Sequence, residues 1–192
     1  MALFKSTCIS SDITPENALA FYREHGIYYQ ENATIGSLAK SLGGQALTRD
    51  GMSEFFKLVE KDERAHRIVQ PFLAGSLRFW FTLGADPGKF YASTIDTDQD
   101  DKIVIYMWHP ATSLEFSHKS HIGANKGAGS SNGLVHIPYS FLKHVKKLEE
   151  HLVEMETGGL LIVHPRLAFM VSRGLATGYV FQSTQTGSQT PS

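Results

Sequence analysis

Met155 to Gly174, METGGLLIVHPRLAFMVSRG, is the stretch whose reading decides the fold. An acidic approach meets the Gly158-Gly159 turn. An apolar run ends at His164-Pro165-Arg166, and a second apolar run follows. Short apolar runs bounded by glycine and proline read as consecutive strands, here Leu160 to His164 and Leu167 to Val171. Upstream, Lys102 to Trp108 (KIVIYMW) is almost continuously apolar. A strand of that kind is covered on both faces. Gly75 to Gly84, Phe90 to Ile95, Ser113 to Ser117, Leu152 to Met155 and Tyr179 to Gln182 read as further strands. Asp96 to Asp101 is an acidic turn, and Ile122 to Gly133 is a long Gly/Ser/Asn loop.

The N-terminal part has a different period. Thr14-Pro15-Glu16 combines a hydroxyl N-cap, proline at the first helical position and an acid in the first turn. That helix stops at Gly26, and Ile27-Tyr28-Tyr29 reads as a short strand. Leu38 to Gly44 is a weak helix. One amphipathic helix is expected from Asp50-Gly51 to about Val69, ended by Pro71. Pro138 to His151 reads as a short helix. Helices followed by short strands argue for an α+β fold, with helices buttressing a β-sandwich or small barrel. One domain is expected over residues 1–182. Ser183 to Ser192 (STQTGSQTPS) has the composition of a disordered tail.

Composition narrows the function. The formal net charge of −1 leaves no electrostatic footprint for nucleic acid or an anionic membrane. The basic run His144 to Lys147 precedes Glu149-Glu150 and reads as a solvated helix face. Cys8 is the single cysteine, which excludes an intramolecular disulfide and a cysteine-based metal site. No stretch reads as a secretory signal or a membrane span, so a soluble, cytoplasmic protein is expected.

The order of features resembles that of phytanoyl-CoA-dioxygenase-like proteins. The segments that carry it are Thr14-Pro-Glu-Asn with Phe21-Tyr22 and Gly26-Ile27, then Ile103 to Trp108, Ser113 to His121, and Gly158 to Phe169. The resemblance covers residues 13 to 182 and implies a double-stranded β-helix, the jelly-roll form of the cupins. It also implies iron held by a His-x-Asp pair and a later histidine. Here Thr94 stands at the first place of the pair, with Asp96 at the second, and Phe169 stands at the distal place. The family's basic co-substrate anchor falls within Ala176 to Tyr179, which has no basic residue; Arg173 lies nearer Phe169. A 2-His-1-carboxylate centre needs three convergent donors, so no metal and no cofactor are expected.

Other motifs are sparse. His118-x-x-His121 could bind a metal on a turn, and exposed polar residues entering the loop is the plainer reading. His164 reads as a satisfied buried histidine. No Gly-x-Ser-x-Gly nucleophile motif is present, and the loop from Gly123 to Gly133 lacks a phosphate-loop ending. What remains is an aromatic interior with polar tips, which in a jelly roll suits a pocket for an apolar small molecule. Arg78, Tyr106 and His118 are the candidate catalytic groups. Trp80, Tyr91, Trp108, Glu115, Arg166, Phe169 and Met170 are the candidate substrate-binding groups. The expected function is a cofactor-independent cyclase or isomerase, including a Diels–Alder-type pericyclase, acting on a terpenoid or polyene. It would work by conformational preorganisation and hydrogen-bond polarisation. The alternatives are an Fe(II)/2-oxoglutarate-type dioxygenase with an atypical triad (Asp96 with His118 or His164), a non-catalytic binding protein, and a helper subunit. A homodimer fits the fold, although the sequence marks no interface.

Overall fold

Helices and strands follow the expected order in the computed structural model, which describes residues 3–98 and 100–183. The tail expected to be disordered lies outside the described residues, except Ser183. The chain runs α1 (Pro15–His25), β1 (Ile27–Glu31), α2 (Ala33–Leu42), a 3₁₀ turn (Gly43–Leu47), α3 (Arg49–Val59) and α4 (Glu63–Leu73). Then come β2 (Ser76–Gly84), β3 (Phe90–Ala92), β4 (Lys102–Trp108), β5 (Thr112–Ser117), β6 (Ala128–Gly129) and β7 (Val135–Ile137). A π-helical turn (Phe141–Val145) leads into β8 (Glu150–Met155), β9 (Gly159–Val163), β10 (Phe169–Arg173) and β11 (Leu175–Gln182).

The strands form two antiparallel sheets, ordered β1-β9-β4-β11-β2 and β6-β7-β3-β10-β5-β8. From β2 to β5, and again from β8 to β11, successive strands alternate between the sheets. β4 is central and buried from Ile103 to Trp108. Its two faces meet different partners. Ile105 is in register with Tyr179, whose ring packs on Phe55 and Phe56 of α3. Tyr106 points the other way, onto Phe169 of the second sheet. Both faces are therefore apolar, the first under helices and the second under a sheet.

Several boundaries differ from the sequence expectation. The single helix over residues 50–69 is two helices, because the Asp62 side chain accepts the Arg64 and Ala65 N–H groups and starts a new helix. Pro71 lies inside α4, which ends at Leu73. α2 begins at Ala33, where Asn32 accepts the Thr34 and Ile35 N–H groups. The helix expected over 138–151 is only a π-helical turn, since Lys147 takes φ 55° and His151 already pairs with Phe116 in β8. β10 starts at Phe169, because the Leu167 N–H turns back onto the His164 carbonyl. Among the described residues no helix is long and apolar enough to cross a membrane.

Gly36 of α2 packs directly on the turn before β9. A Cβ there would lie 1.9 Å from the Thr157 carbonyl oxygen. Gly36→Ala is expected to destabilise the fold by about 2 kcal/mol or more in urea titrations. Gly44→Ala, whose Cβ would meet nothing within 4 Å, is expected to stay near neutral.

Candidate functional site

Four of the residues proposed from sequence meet between the sheets. Tyr106 lies 5.8 Å from Trp108 and 5.5 Å from Phe169, ring centre to ring centre. Phe169 is in register with Tyr91. Tyr106 and Trp108 are fully buried, and the Tyr106 hydroxyl and Trp108 Nε1 have no hydrogen-bond partner. Ser93 Oγ lies beside Tyr106 OH without closing a hydrogen bond. Burial raises the Tyr106 pKa.

The structure does not bring the others to this place. Arg78 sits at a β-bulge on edge strand β2, exposed, with its Nε donating to Gln182. Trp80 is in register with Tyr179 and so faces the helix side of its sheet, where it is 37% exposed. Glu115 pairs with Met170 and Leu152 on the outer face of the second sheet. Met170 packs there with Phe90, Ala92 and Leu142. The reason is common to all: alternation fixes which residues share a face, while which face looks inward is settled by the partner sheet. His118 lies beyond β5, its Nε2 2.9 Å from His25 Nδ1, among Phe4 and His151.

The residues at the implied metal position do not fit a metal. Phe169 offers no donor atom, and the groups around it are hydroxyls and an indole. Asp96 is exposed on the loop after β3, its N–H bonded to Thr94 Oγ1. Among the described residues no three His, Cys, Asp or Glu side chains are grouped to hold a metal ion.

A cavity of about 420 Å³ opens at the end of the sandwich, where β9 finishes and β4 begins. Tyr22 and Arg23 reach it from the last turn of α1, and Asp100 and Lys102 from the start of β4. His121 comes from the loop after β5, and His164 and Arg166 from the link to β10. Phe72 and Ile122 add apolar wall. Gly26 makes the junction possible. It takes φ 73° at the helix end, and a Cβ there would come within 2.5 Å of His121 Nδ1.

Hydrogen bonds fix the state of each group. His164 Nδ1 accepts the Arg166 N–H at 3.2 Å, so Nε2 carries the proton and donates to Asp100 Oδ1 at 3.1 Å. Arg166 donates through Nη2 to Asp100 Oδ1 at 2.8 Å and through Nη1 to the Gly123 carbonyl at 3.3 Å. His121 Nε2 faces the Arg23 carbonyl at 3.4 Å, a pure acceptor, which leaves Nδ1 bare. Three of the residues that line the cavity each carry a buried polar atom without a partner: Tyr22 OH, His121 Nδ1, which packs against Gly26, and Arg166 Nε. Burial, then the Asp100 charge, raises the Tyr22 pKa, so the hydroxyl stays a donor. Burial, with His164 close by, pushes His121 down to about 4. Burial and Arg166 push His164 to about 4 against the pull of Asp100. Asp100 is lowered, because Arg166 and His164 outweigh its partial burial.

A clasp behind the cavity joins its two walls. Lys146 Nζ, delivered by the π-helical turn, donates to the Ser120 and Ile122 carbonyls and to Asn125 Oδ1 at 3.2, 2.8 and 2.9 Å. Asn125 Nδ2 donates to the Ser120 and Arg166 carbonyls. Of the cavity residues, the sequence reading named Arg166 for binding and His164 and His121 as histidines to weigh. It missed Tyr22 and Asp100, and it missed Lys146 of the clasp. The His164-Pro-Arg166 turn of the opening segment was the signal that led toward the place.

No family model matches the sequence, and no curated protein matches it. Solved structures do share its fold. The epimerase SnoN, in complex with Fe3+, alpha ketoglutarate and nogalamycin RO, superposes with a TM-score of 0.62 at 12% identity, covering 88% of this chain and 83% of that one. The non-heme alpha ketoglutarate dependent carbocyclase SnoK gives 0.60 at 12%, covering 94% and 88%. AviO1 from Streptomyces viridochromogenes Tue57 gives 0.57 at 10%, covering 93% and 99%. At such identities the likeness is one of fold: a cupin-like pairing of antiparallel sheets with flanking helices.

Two outcomes are expected. Unfolded imidazoles titrate near their ordinary value, whereas native His118, His121 and His164 stay neutral down to about 4. The unfolded state therefore binds more protons as pH falls from about 6.5 toward 4. Stability should drop over that window by roughly 1.4 kcal/mol per pH unit per imidazole. Urea midpoints at pH 7 and pH 5 measure it, and the His121→Asn/His164→Asn double variant should show a shallower drop. Lys146→Met should speed amide exchange across Ser120 to Asn125 at least tenfold and leave β4 protected.

Proposed function

We propose that this chain is a natural-product-modifying enzyme of the cupin kind, built on a double-stranded β-helix. Its reaction is a metal-free isomerisation or cyclisation in which a substrate oxygen is polarised by hydrogen bonds. The single observation that carries this is that Tyr22, Arg166 and His121, each with a buried polar atom that lacks a partner, line one cavity. Two buried donors without partners favour an oxygen on which negative charge grows, in a site of low dielectric. His121, kept neutral at pH 7 by its burial, adds no competing positive charge beside them. The strand alternation and the likeness to an epimerase and a carbocyclase support the class.

In this reading Tyr22, Arg166 and His121 replace Tyr106, Arg78 and His118 as the candidate catalytic groups. The aromatic group of Tyr106, Trp108 and Phe169 shapes the interior beneath. The apolar wall of Phe72 and Ile122 suits a terpenoid or polyene body, held in a reactive conformation.

Turnover of candidate polyenes and terpenoids bearing a carbonyl is the test. Tyr22→Phe and Arg166→Gln should each lower kcat about 100-fold, and the rate should be the same with and without a chelator. A rate that appears only on addition of Fe(II), or that survives both substitutions, would overturn the proposal.

A further inference from the structure

We infer that the Asp100 carboxylate is a stand-in for a carboxylate of the ligand, so that the cavity takes an apolar carboxylic acid whose acid group replaces Asp100 on Arg166. The inference rests on reading the cavity as the active site.

Asp100 is anchored in an unusual way. Its side chain is 70% exposed on the turn before β4, yet its Oδ1 takes hydrogen bonds from both Arg166 and His164, whose side chains are only 9% and 12% exposed. The acid end of this pair lies in solvent and is held at one oxygen, so a carboxylate in the cavity competes with it for the same donors. Arg166 is different. It is buried, and Nη1 is tied to the Gly123 carbonyl.

The guanidinium fork is only half used. Nε–H and the Nη2–H beside it form one edge that matches the two oxygens of a carboxylate. Asp100 engages Nη2 alone, and Nε is left buried without a partner. A free carboxylate is not tethered to the turn and can meet both donors. Tyr22 lines the same cavity, and its buried hydroxyl is also unpartnered. Charge points the same way: Arg23 and Arg166 line the cavity with Asp100, and both cations stay when Asp100 swings out. Phe72 and Ile122 would receive the apolar body.

Benzoate and its neutral twin benzamide are the probes, with binding read by calorimetry on the full chain. Asp100→Asn removes the internal competitor and should bind benzoate about tenfold more tightly than the unaltered protein. Benzamide should bind neither. Arg166→Lys keeps the charge but loses the fork, and should weaken benzoate at least tenfold. Equal affinity for benzoate in the unaltered and Asp100→Asn proteins, benzamide binding that matches benzoate, or full affinity in Arg166→Lys would each overturn the inference. Should Asp100→Asn fail to fold, the Arg166→Lys and benzamide comparisons decide alone. The readout is binding, so a protein that seats benzoate on Arg166 but turns over no substrate would sink the proposed function and leave this inference standing.

Discussion

Strand β4 has no solvent face, and the rest of the molecule answers that constraint. A strand buried from Ile103 to Trp108 needs apolar cover on both sides. Helices α2 to α4 supply one cover, with Phe55 and Phe56 set on Tyr179 beside Ile105. The second sheet supplies the other, with Phe169 on Tyr106. The interior is filled by rings in the process. Polar chemistry is thereby moved to the end of the sandwich, where strands give way to turns and side chains from several elements can converge.

That end is assembled by interactions that also terminate secondary structure. Gly26 stops α1 in the left-handed region, and its carbonyl then takes the His164 N–H. The same glycine leaves room for the His121 ring. His164 in turn accepts the Arg166 N–H and starts the turn into β10. Arg166 is thus fixed at its backbone by the His164 turn and by Asn125, and at its guanidinium by Gly123. A buried cation needs such anchoring to remain charged and oriented.

How much was legible in the sequence follows from how local each signal is. The continuous apolar run of β4 and the Gly-Gly and His-Pro-Arg punctuation around β9 are local, and both placed strands correctly. The Asn32 and Asp62 caps are also local, yet Asn32 opens a mostly polar stretch and Asp62 lies inside a run whose apolar period gave no break, so α2 was expected late and α3 merged with α4. The inward face was not local. Sheet β1-β9-β4-β11-β2 is apolar on both faces, so alternation could not tell Trp80, under the helix side, from Tyr106, under the other sheet. The cavity is the least local feature, because Tyr22, Asp100, His121 and Arg166 come from four separate segments. The resemblance pointed to Phe169 instead, and there the donors that a metal would need are missing.

Among the buried polar atoms left without partners in the described residues, two groups differ in one respect. Tyr106 OH and Trp108 Nε1 sit on fully buried side chains between the sheets, whereas Tyr22 OH, His121 Nδ1 and Arg166 Nε belong to residues that line an open cavity. An unpaired buried group of this kind costs about 1–3 kcal/mol. At the cavity that desolvation is already complete before any ligand arrives, and the clasp of Lys146 and Asn125 holds the walls in place. A ligand oxygen bound there would restore hydrogen bonds that the folded chain lacks, with little reorganisation. Donors already held in place stabilise charge on a bound oxygen without having to reorganise.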